Sequence, residues 1–341
     1  MNSSDEATTA PAVKLRQMVN GYRLSQAIHV AAVLGLSDLL ADGPRTVQDL
    51  AEQASAHPRT LYRLLRALSA AGVYEELDGA RFRSTDLGDA LRSDAAEPVR
   101  DYAAFVGRPY HWQAWSGLLH SAQTGANAFR SVYGVDVWEY RTTHPDESVI
   151  FDAAMTANSR FVAASVFDAY DLGRFTELVD VGGGRGAFVA AMLRRWPGLR
   201  GVVFDQPHVV SGAAAALAEA GVADRARVVS GTFFESVPGG AEAYLLKNIV
   251  HDWLDDEAAA ILKVCRRDML ADGVLLLVER VIPGPNRGLD ATLSDLNMLV
   301  SPGGQERTEA EYTTLLAGAG FRLTRVVPTA SDVSILEAVP D

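Results

Sequence analysis

E-L-V-D-V-G-G-G-R-G, residues 177–186, sets a short apolar run directly against a cluster of glycines. Residues 178–181 have the β-branched, apolar content of a buried strand, and residues 187–196 have the pattern of a helix. Strand, glycine turn and helix form the opening unit of a doubly wound α/β sheet. A backbone without Cβ atoms lets a ligand approach the helix N-terminus, where free N–H groups and the helix dipole favour a carboxylate or phosphate. An anionic or polar ligand is therefore expected at this turn.

The glycines alone leave the ligand open. Gly182, Gly184 and Ala187 fit the dinucleotide pattern G-x-G-x-x-G/A, whereas Gly182, Gly184 and Gly186 fit the G-x-G-x-G of S-adenosylmethionine enzymes. Both want an acid at the end of the next strand to hold a ribose, and Asp205 closes G-V-V-F-D, 23 positions after Gly182. A tight βα turn that binds nothing satisfies the same residues.

The 341 residues suffice for two domains, and 48% hydrophobic residues can fill a core. Apolar runs are too short to span a bilayer and no charged-then-apolar leader opens the chain, so a cytoplasmic protein without membrane association is expected. The single cysteine, Cys265, falls on an amphipathic helical pattern and reads as a small core residue. A net charge of −12 argues against a nucleic-acid partner, which needs clustered Lys and Arg.

Residues 1–11 are small and polar and read as a disordered tail. Residues 12–98 read as helices followed by a hairpin. Gly35 divides the first helical stretch; Thr46 with Asp49 suits a capping box; Pro58 suits the first turn of a helix carrying Leu61, Leu64, Leu65 and Leu68; Gly72 ends it; and Asp78-Gly79 makes a turn. This is a winged-helix pattern, which raises a DNA-binding regulator as a competing function. Arg59, Arg63 and Arg66 recur at helical spacing, yet seven nearby acids, Asp49, Glu52, Glu75, Glu76, Asp78, Asp86 and Asp89, leave no net basic surface. A solvated arginine face on a dimerisation module fits better.

Residues 99–170 read as a helical linker and pocket segment rich in rings, among them Trp112, Trp115, Tyr133, Trp138, Tyr140, Phe151 and Phe161. Residues 171–341 alternate strand and helix, then end in two strands with no helix between them. A closing antiparallel hairpin on a mostly parallel sheet separates a methyltransferase-like sheet from a simple dinucleotide fold. Near its strand ends lie His251 in K-N-I-V-H-D-W, Glu279 after G-V-L-L-L-V, and Glu306 in S-P-G-G-Q-E-R-T.

Taken together, L-V-D-V-G-G-G-R-G, F-D-Q-P-H-V, G-T-F-F-E-S-V-P, K-N-I-V-H-D-W, V-E-R-V-I-P and P-G-G-Q-E-R-T resemble the S-adenosylmethionine-dependent small-molecule O-methyltransferases. That family includes plant caffeate and flavonoid enzymes and bacterial relatives that tailor aromatic natural products, and the likeness runs from about residue 12 to the C-terminus. The resemblance implies a Rossmann-like class I methyltransferase sheet with a C-terminal antiparallel hairpin, an N-terminal winged-helix dimerisation domain, and a homodimer. It implies His251 as general base toward an aromatic hydroxyl, with Glu279 and Glu306 orienting it. For the cofactor it implies Gly182, Gly184, Asp205, Gly231, Thr232, Phe233, Phe234, Lys247 and Ser159, with the two phenylalanines sandwiching adenine and Ser159 reaching the methionine carboxylate. Thr232 stands where many plant members have an acid. For the acceptor it implies Phe151, Met155, Asp252, Met298 and Ser301, the last in place of a frequent asparagine.

The same fold and cofactor also admit hydroxylation or decarboxylation; the intact base favours methyl transfer. An NAD-dependent dehydrogenase lacks the closing hairpin. No divalent metal is expected. The acceptor, the position methylated and the choice of oxygen or nitrogen as nucleophile depend on pocket shape, which residue spacing does not encode.

Overall fold

The computed structural model describes residues 10–96 and 98–341. Most of the expected tail lies outside the described residues, and Pro11 opens the first helix, Pro11–Val19. The chain divides into two compact units, one ending at Pro109 and one opening at Tyr110.

In the first unit, Gly35 takes φ 62° between helices Gly21–Val33 and Leu36–Leu39. Thr46 caps helix Val47–Gln53 by accepting from the Asp49 N–H at 3.1 Å. Helix Pro58–Ala70 buries Leu61, Leu65 and Leu68, at i, i+4 and i+7, and exposes Arg59, Arg63 and Arg66. Strands β1 (Arg45–Thr46), β2 (Tyr74–Leu77) and β3 (Arg81–Ser84) form an antiparallel sheet in the order β1-β3-β2. The wing thus gains a third strand that the sequence pattern does not announce. The helix Arg100–Val106, from the expected linker, belongs to this unit, where His29 Nδ1 lies 3.1 Å from Ala103 O.

The second unit carries strands β4 (Glu177–Val181), β5 (Arg200–Asp205), β6 (Ala226–Ser230), β7 (Ala243–Lys247), β8 (Val274–Glu279), β9 (Val281–Ile282), β10 (Arg307–Thr308), β11 (Phe321–Pro328) and β12 (Ser334–Pro340). The main sheet has seven strands in the order β11-β12-β8-β7-β4-β5-β6. Pairings β4/β5, β5/β6, β4/β7 and β7/β8 are parallel, and β12 runs antiparallel to both β8 and β11. The closing hairpin is therefore folded in beside β8, as the missing crossover helix requires.

Alternation along the strands feeds two cores. Leu178, Val203, Leu245 and Leu276 meet the helix face of Phe188, Val189 and Leu193. Val179, Val181, Val202, Leu246 and Leu277 meet Ile261, Leu262 and Cys265 on the other side. Each such side chain, fully removed from water, contributes about 1.5–3 kcal/mol. Between β5 and β6 the chain forms two short helices, Pro207–Val210 and Ala213–Glu219, separated at Gly212. From β4 the chain winds one way to β5 and β6, then returns to build β7 and β8 on the other side. The carboxyl ends of β4 and β7 flank that reversal, the place where an open α/β sheet leaves a crevice for ligands.

Candidate active site

Two loops meet at the switch point. After β4, Gly182, Gly184 and Gly186 take φ of 76°, 60° and 78°, conformations that side chains resist. A Cβ on Gly182 would overlap Ile249 Cδ1, so this glycine is what lets the turn after β7 lie against the turn after β4. Asn248, also at positive φ (55°), opens that second turn, and the 3-10 turn Val250–Asp252 carries His251.

His251 is buried, and its Nδ1 lies 2.8 Å from Glu279 Oε2 and 3.6 Å from Glu306 Oε2. Nδ1 faces the Glu279 carboxylate as a close charge contact without hydrogen-bond alignment, and Nε2 is the other ring nitrogen, open to act on a proton. Nε2 has Asp252 Oδ1 at 3.6 Å. Glu279 stands at the end of β8, and its Oε1 accepts from the Ile249 and Val250 N–H groups at 3.0 and 2.8 Å. Glu306 Oε1 accepts from the Ser294 hydroxyl at 2.7 Å, with Arg280 Nη1 at 3.8 Å. The backbone N–H of Glu306 donates to Asp295 at 3.0 Å. The helix Leu289–Val300, which carries Met298, is in this way fastened to the acid beside the imidazole.

Burial alone would disfavour the imidazolium, but the charges of Glu279 and Glu306 outweigh it and hold His251 well above its usual range. Burial pushes Glu306 up, and the His251 charge with the Ser294 hydrogen bond reverses this, leaving it below the ordinary carboxylate range. Asp252 is raised to about 6, chiefly by burial, against the pull of His251. One atom from each of His251, Glu279 and Glu306 lies within 4.8 Å of the others, a grouping that also suits a cation.

The glycine side suits a ligand bearing ammonium, sulfonium and ribose groups. Asp180, beneath the turn, is 1% exposed, and its Oδ2 has no hydrogen-bond partner, so a buried carboxylate waits for a donor. Burial raises it to about 7, with the Lys247 charge opposing and Asp205 adding. Asp205 accepts from the Gly184 and Gln206 N–H groups at 2.9 and 2.7 Å, which fixes its carboxylate at the crevice with lone pairs left for hydroxyls. A Cβ on Gly184 would meet nothing within 4 Å, so its side of the turn is open. Gly231, after β6, packs its bare Cα on the Phe204 ring, and Thr232 accepts from the Phe234 N–H at 3.4 Å.

Three sets of the residues expected at the cofactor make contacts within the protein. Phe233 and Phe234 have ring centroids 5.1 Å apart at 58°, drawn together by the edge of Trp253 at 6.1 and 4.8 Å, so no slot for a sandwiched base lies between them. They present a corner, with one ring face at a time. The Ser159 hydroxyl donates to Met155 O at 2.8 Å, along its own helix Pro145–Ala169, instead of standing free. Lys247 is half-buried at the end of β7, where its charge acts on Asp180.

The rings of the helical segment divide into two sets. Tyr110, Phe129, Tyr133 and Tyr140 pack on one another as core. Phe151 meets Trp138 at 6.1 Å and Trp138 stacks on Trp253 at 6.4 Å, which carries an aromatic wall to the turn that bears His251. Arg141 lies 3.5 Å over Phe151. Arg185 of the glycine loop binds Asp152 at 3.0 Å, so the helix with Phe151, Met155 and Ser159 is tied to the cofactor side. Met298 and Ser301 are buried at the end of the fastened helix, whose last carbonyls, Leu299, Val300 and Ser301, accept from Asn127 Nδ2. Sequence reasoning missed Asp180, Trp253, Ser294 and Arg307; the charge of Arg307 beside Glu306 was the one available signal.

The family model for the O-methyltransferase domain matches residues 115–322, and that for the O-methyltransferase dimerisation domain matches residues 16–94. The phenazine O-methyltransferase PhzM of Lysobacter antibioticus is 42% identical over 326 residues, covering 96% of this chain and 95% of the relative. The solved structure of LaPhzM superposes with a TM-score of 0.92 at 42% identity, covering 97% and 99% of the two chains. The O-methyltransferase NcsB1 from neocarzinostatin biosynthesis, solved with S-adenosyl-L-homocysteine and 1,4-dihydroxy-2-naphthoic acid, gives 0.76 at 35% identity, covering 93% and 96%. Matched in both of its parts and aligned along nearly its whole length, the chain belongs to the S-adenosylmethionine-dependent O-methyltransferases.

Proposed function

We propose that this enzyme methylates a hydroxyl of a planar aromatic small molecule, with His251 as the general base. The observation that carries the reading is the buried imidazole whose Nδ1 is held 2.8 Å from Glu279 while Nε2 faces away, on a turn packed against the glycine turn. S-adenosylmethionine, when bound, supplies an electrophilic methyl group on its sulfonium. Asp180 and Asp205 suit its ammonium and ribose hydroxyls, and the corner of Phe233 and Phe234 suits one face of its adenine.

A phenol with a pKa of about 10 is mostly neutral at pH 7, so a base within reach of its proton contributes about 10²–10⁴ in rate. Nε2 accepts that proton, and Glu279 and Glu306 stabilise the imidazolium that results. The wall of Phe151, Trp138 and Trp253, with Met155 and Met298, suits a flat ring, and Ser301 and Asp252 offer polar contacts to its substituents. The acceptors named for the relatives, a phenazine and a dihydroxynaphthoic acid, are flat rings of this kind. We further propose a homodimer assembled through residues 16–94, acting in the cytoplasm; the dimerisation-domain match supports the first. Among the described residues no helix is long and apolar enough to cross a membrane.

The test is mass spectrometry of a panel of hydroxylated phenazines and naphthoic acids incubated with the enzyme and S-adenosylmethionine. A product heavier by one CH₂, with release of S-adenosylhomocysteine, is expected. A product heavier by one oxygen, or loss of CO₂ without methylation, would overturn the reading in favour of the non-methylating chemistry.

A further inference from the structure

Arg307 is wholly buried, the largest side chain in that state among the described residues. A buried guanidinium is costly unless its donors are satisfied. Here they are spent on one object. Nη1 donates to Val250 O and Nη2 to Trp253 O, at 3.2 and 2.9 Å, gripping the carbonyls on either side of His251 and Asp252. Nη1 also donates to Gln305 O at 3.2 Å, and Nε donates to Asp255 Oδ1 at 2.9 Å. A further carbonyl of the turn, His251 O, accepts from the Gln305 N–H at 2.9 Å, and Gln305 Nε2 donates to Asp255 at 2.8 Å. A Cβ on Gly304 would overlap His251 O, so only glycine lets the two loops lie this close. Behind the clamp, β10 pairs with β9 and fixes the backbone of Arg307 opposite Val281.

Resting on His251 as the base, we propose that Arg307 is a positioning residue: its fork locks the His251 turn to the loop carrying Glu306, and so sets both the aim of Nε2 and the distance from imidazole to second carboxylate. Glu279 holds the N–H groups of the same turn, and Arg307 with Gln305 holds its carbonyls, so the base is fixed from both sides. Lysine would keep the charge but not the planar fork, and could not reach two carbonyls and Asp255 together.

The groups around the imidazole are Glu279 from β8, Glu306 from the loop entering β10, and Asp252 from its own turn, with Arg307 at the start of β10 holding that turn's carbonyls. Arg280 stands behind Glu306, Arg141 acts on Asp252, Lys247 is coupled to Glu279, and Tyr312 faces both glutamates. Arg307→Lys leaves this charge set intact, so a change in His251 titration in that variant reports geometry alone. The experiment is an NMR titration of the ¹⁵N-labelled His251 side chain in full-length protein bound to S-adenosylhomocysteine, with kcat on an acceptor found in the panel above. Wild type, Arg307→Lys, Arg307→Met, Asp255→Asn and His251→Ala are compared.

Arg307→Lys is expected to titrate at lower pH than wild type and to lose about tenfold in kcat, Arg307→Met about a hundredfold, with KM for the methyl donor unchanged, as a misplacement near 1 Å produces. Should both Arg307 variants fail to fold, Asp255→Asn carries the test through kcat, with an expected loss of about threefold to tenfold and unchanged KM for the methyl donor, since loss of a carboxylate would itself move the titration. Wild-type titration and kcat in the folded variants overturn the positioning role while His251→Ala still loses turnover. Full turnover in His251→Ala overturns the base assignment, and the positioning role with it.

Discussion

His251 works between acids, and that arrangement has opposite consequences for activity and for stability. Its pKa is raised by the charges of Glu279 and Glu306, so the base form grows as pH rises through the folded value. kcat/KM is therefore expected to climb on the alkaline side, and Glu306→Gln to move that climb to lower pH by removing one carboxylate. A pH–rate profile checks both. Stability runs the other way. The stabilisation from the raised histidine is fully present below its unfolded pKa of about 6.5 and is lost as pH rises through the folded value. Denaturation midpoints of wild type should fall across that alkaline window relative to His251→Asn. On the cofactor side, Asp205→Ala removes a fixed acceptor from the crevice, and calorimetry is expected to show affinity for S-adenosylmethionine weaker by about tenfold to a hundredfold.

Loops after β4 and β7 bring the two halves of the site together, and their glycines are the sensitive points. Gly182→Ala combines a positive φ with overlap on Ile249, and chemical denaturation should show a loss of about 1–3 kcal/mol. Much of this was legible. The strand, turn and helix around 177–186 and the closing hairpin follow from local pattern, and the structure has each of them. Contacts made only after the sheet order is fixed were not legible. Asp180 read as one more strand residue until its face was known to lie beneath the turn. Arg307 read as the neighbour of Glu306 until its donors were seen on Val250 and Trp253. The paired phenylalanines could be numbered, but their mutual angle depends on Trp253, which a sequence does not place beside them.

For the whole molecule, the sheet explains where chemistry occurs, and the dimerisation-domain match falls within the first unit. Leu15, Met18, Val19 and Tyr22 are more than half exposed there, an apolar row on consecutive helices within or just ahead of the dimerisation-domain match. If that row is covered by a second copy, Leu15→Glu with Met18→Glu should shift the sedimenting species from dimer to single chain, and an unchanged dimer would place the interface elsewhere. The central claim remains the base at the switch point of the sheet. It is tested most directly by single-turnover methyl transfer in His251→Ala, with S-adenosylmethionine affinity measured on the same protein. The account predicts wild-type affinity and a methyl-transfer rate lower by about 10²–10⁴. Wild-type affinity with an undiminished rate would contradict it.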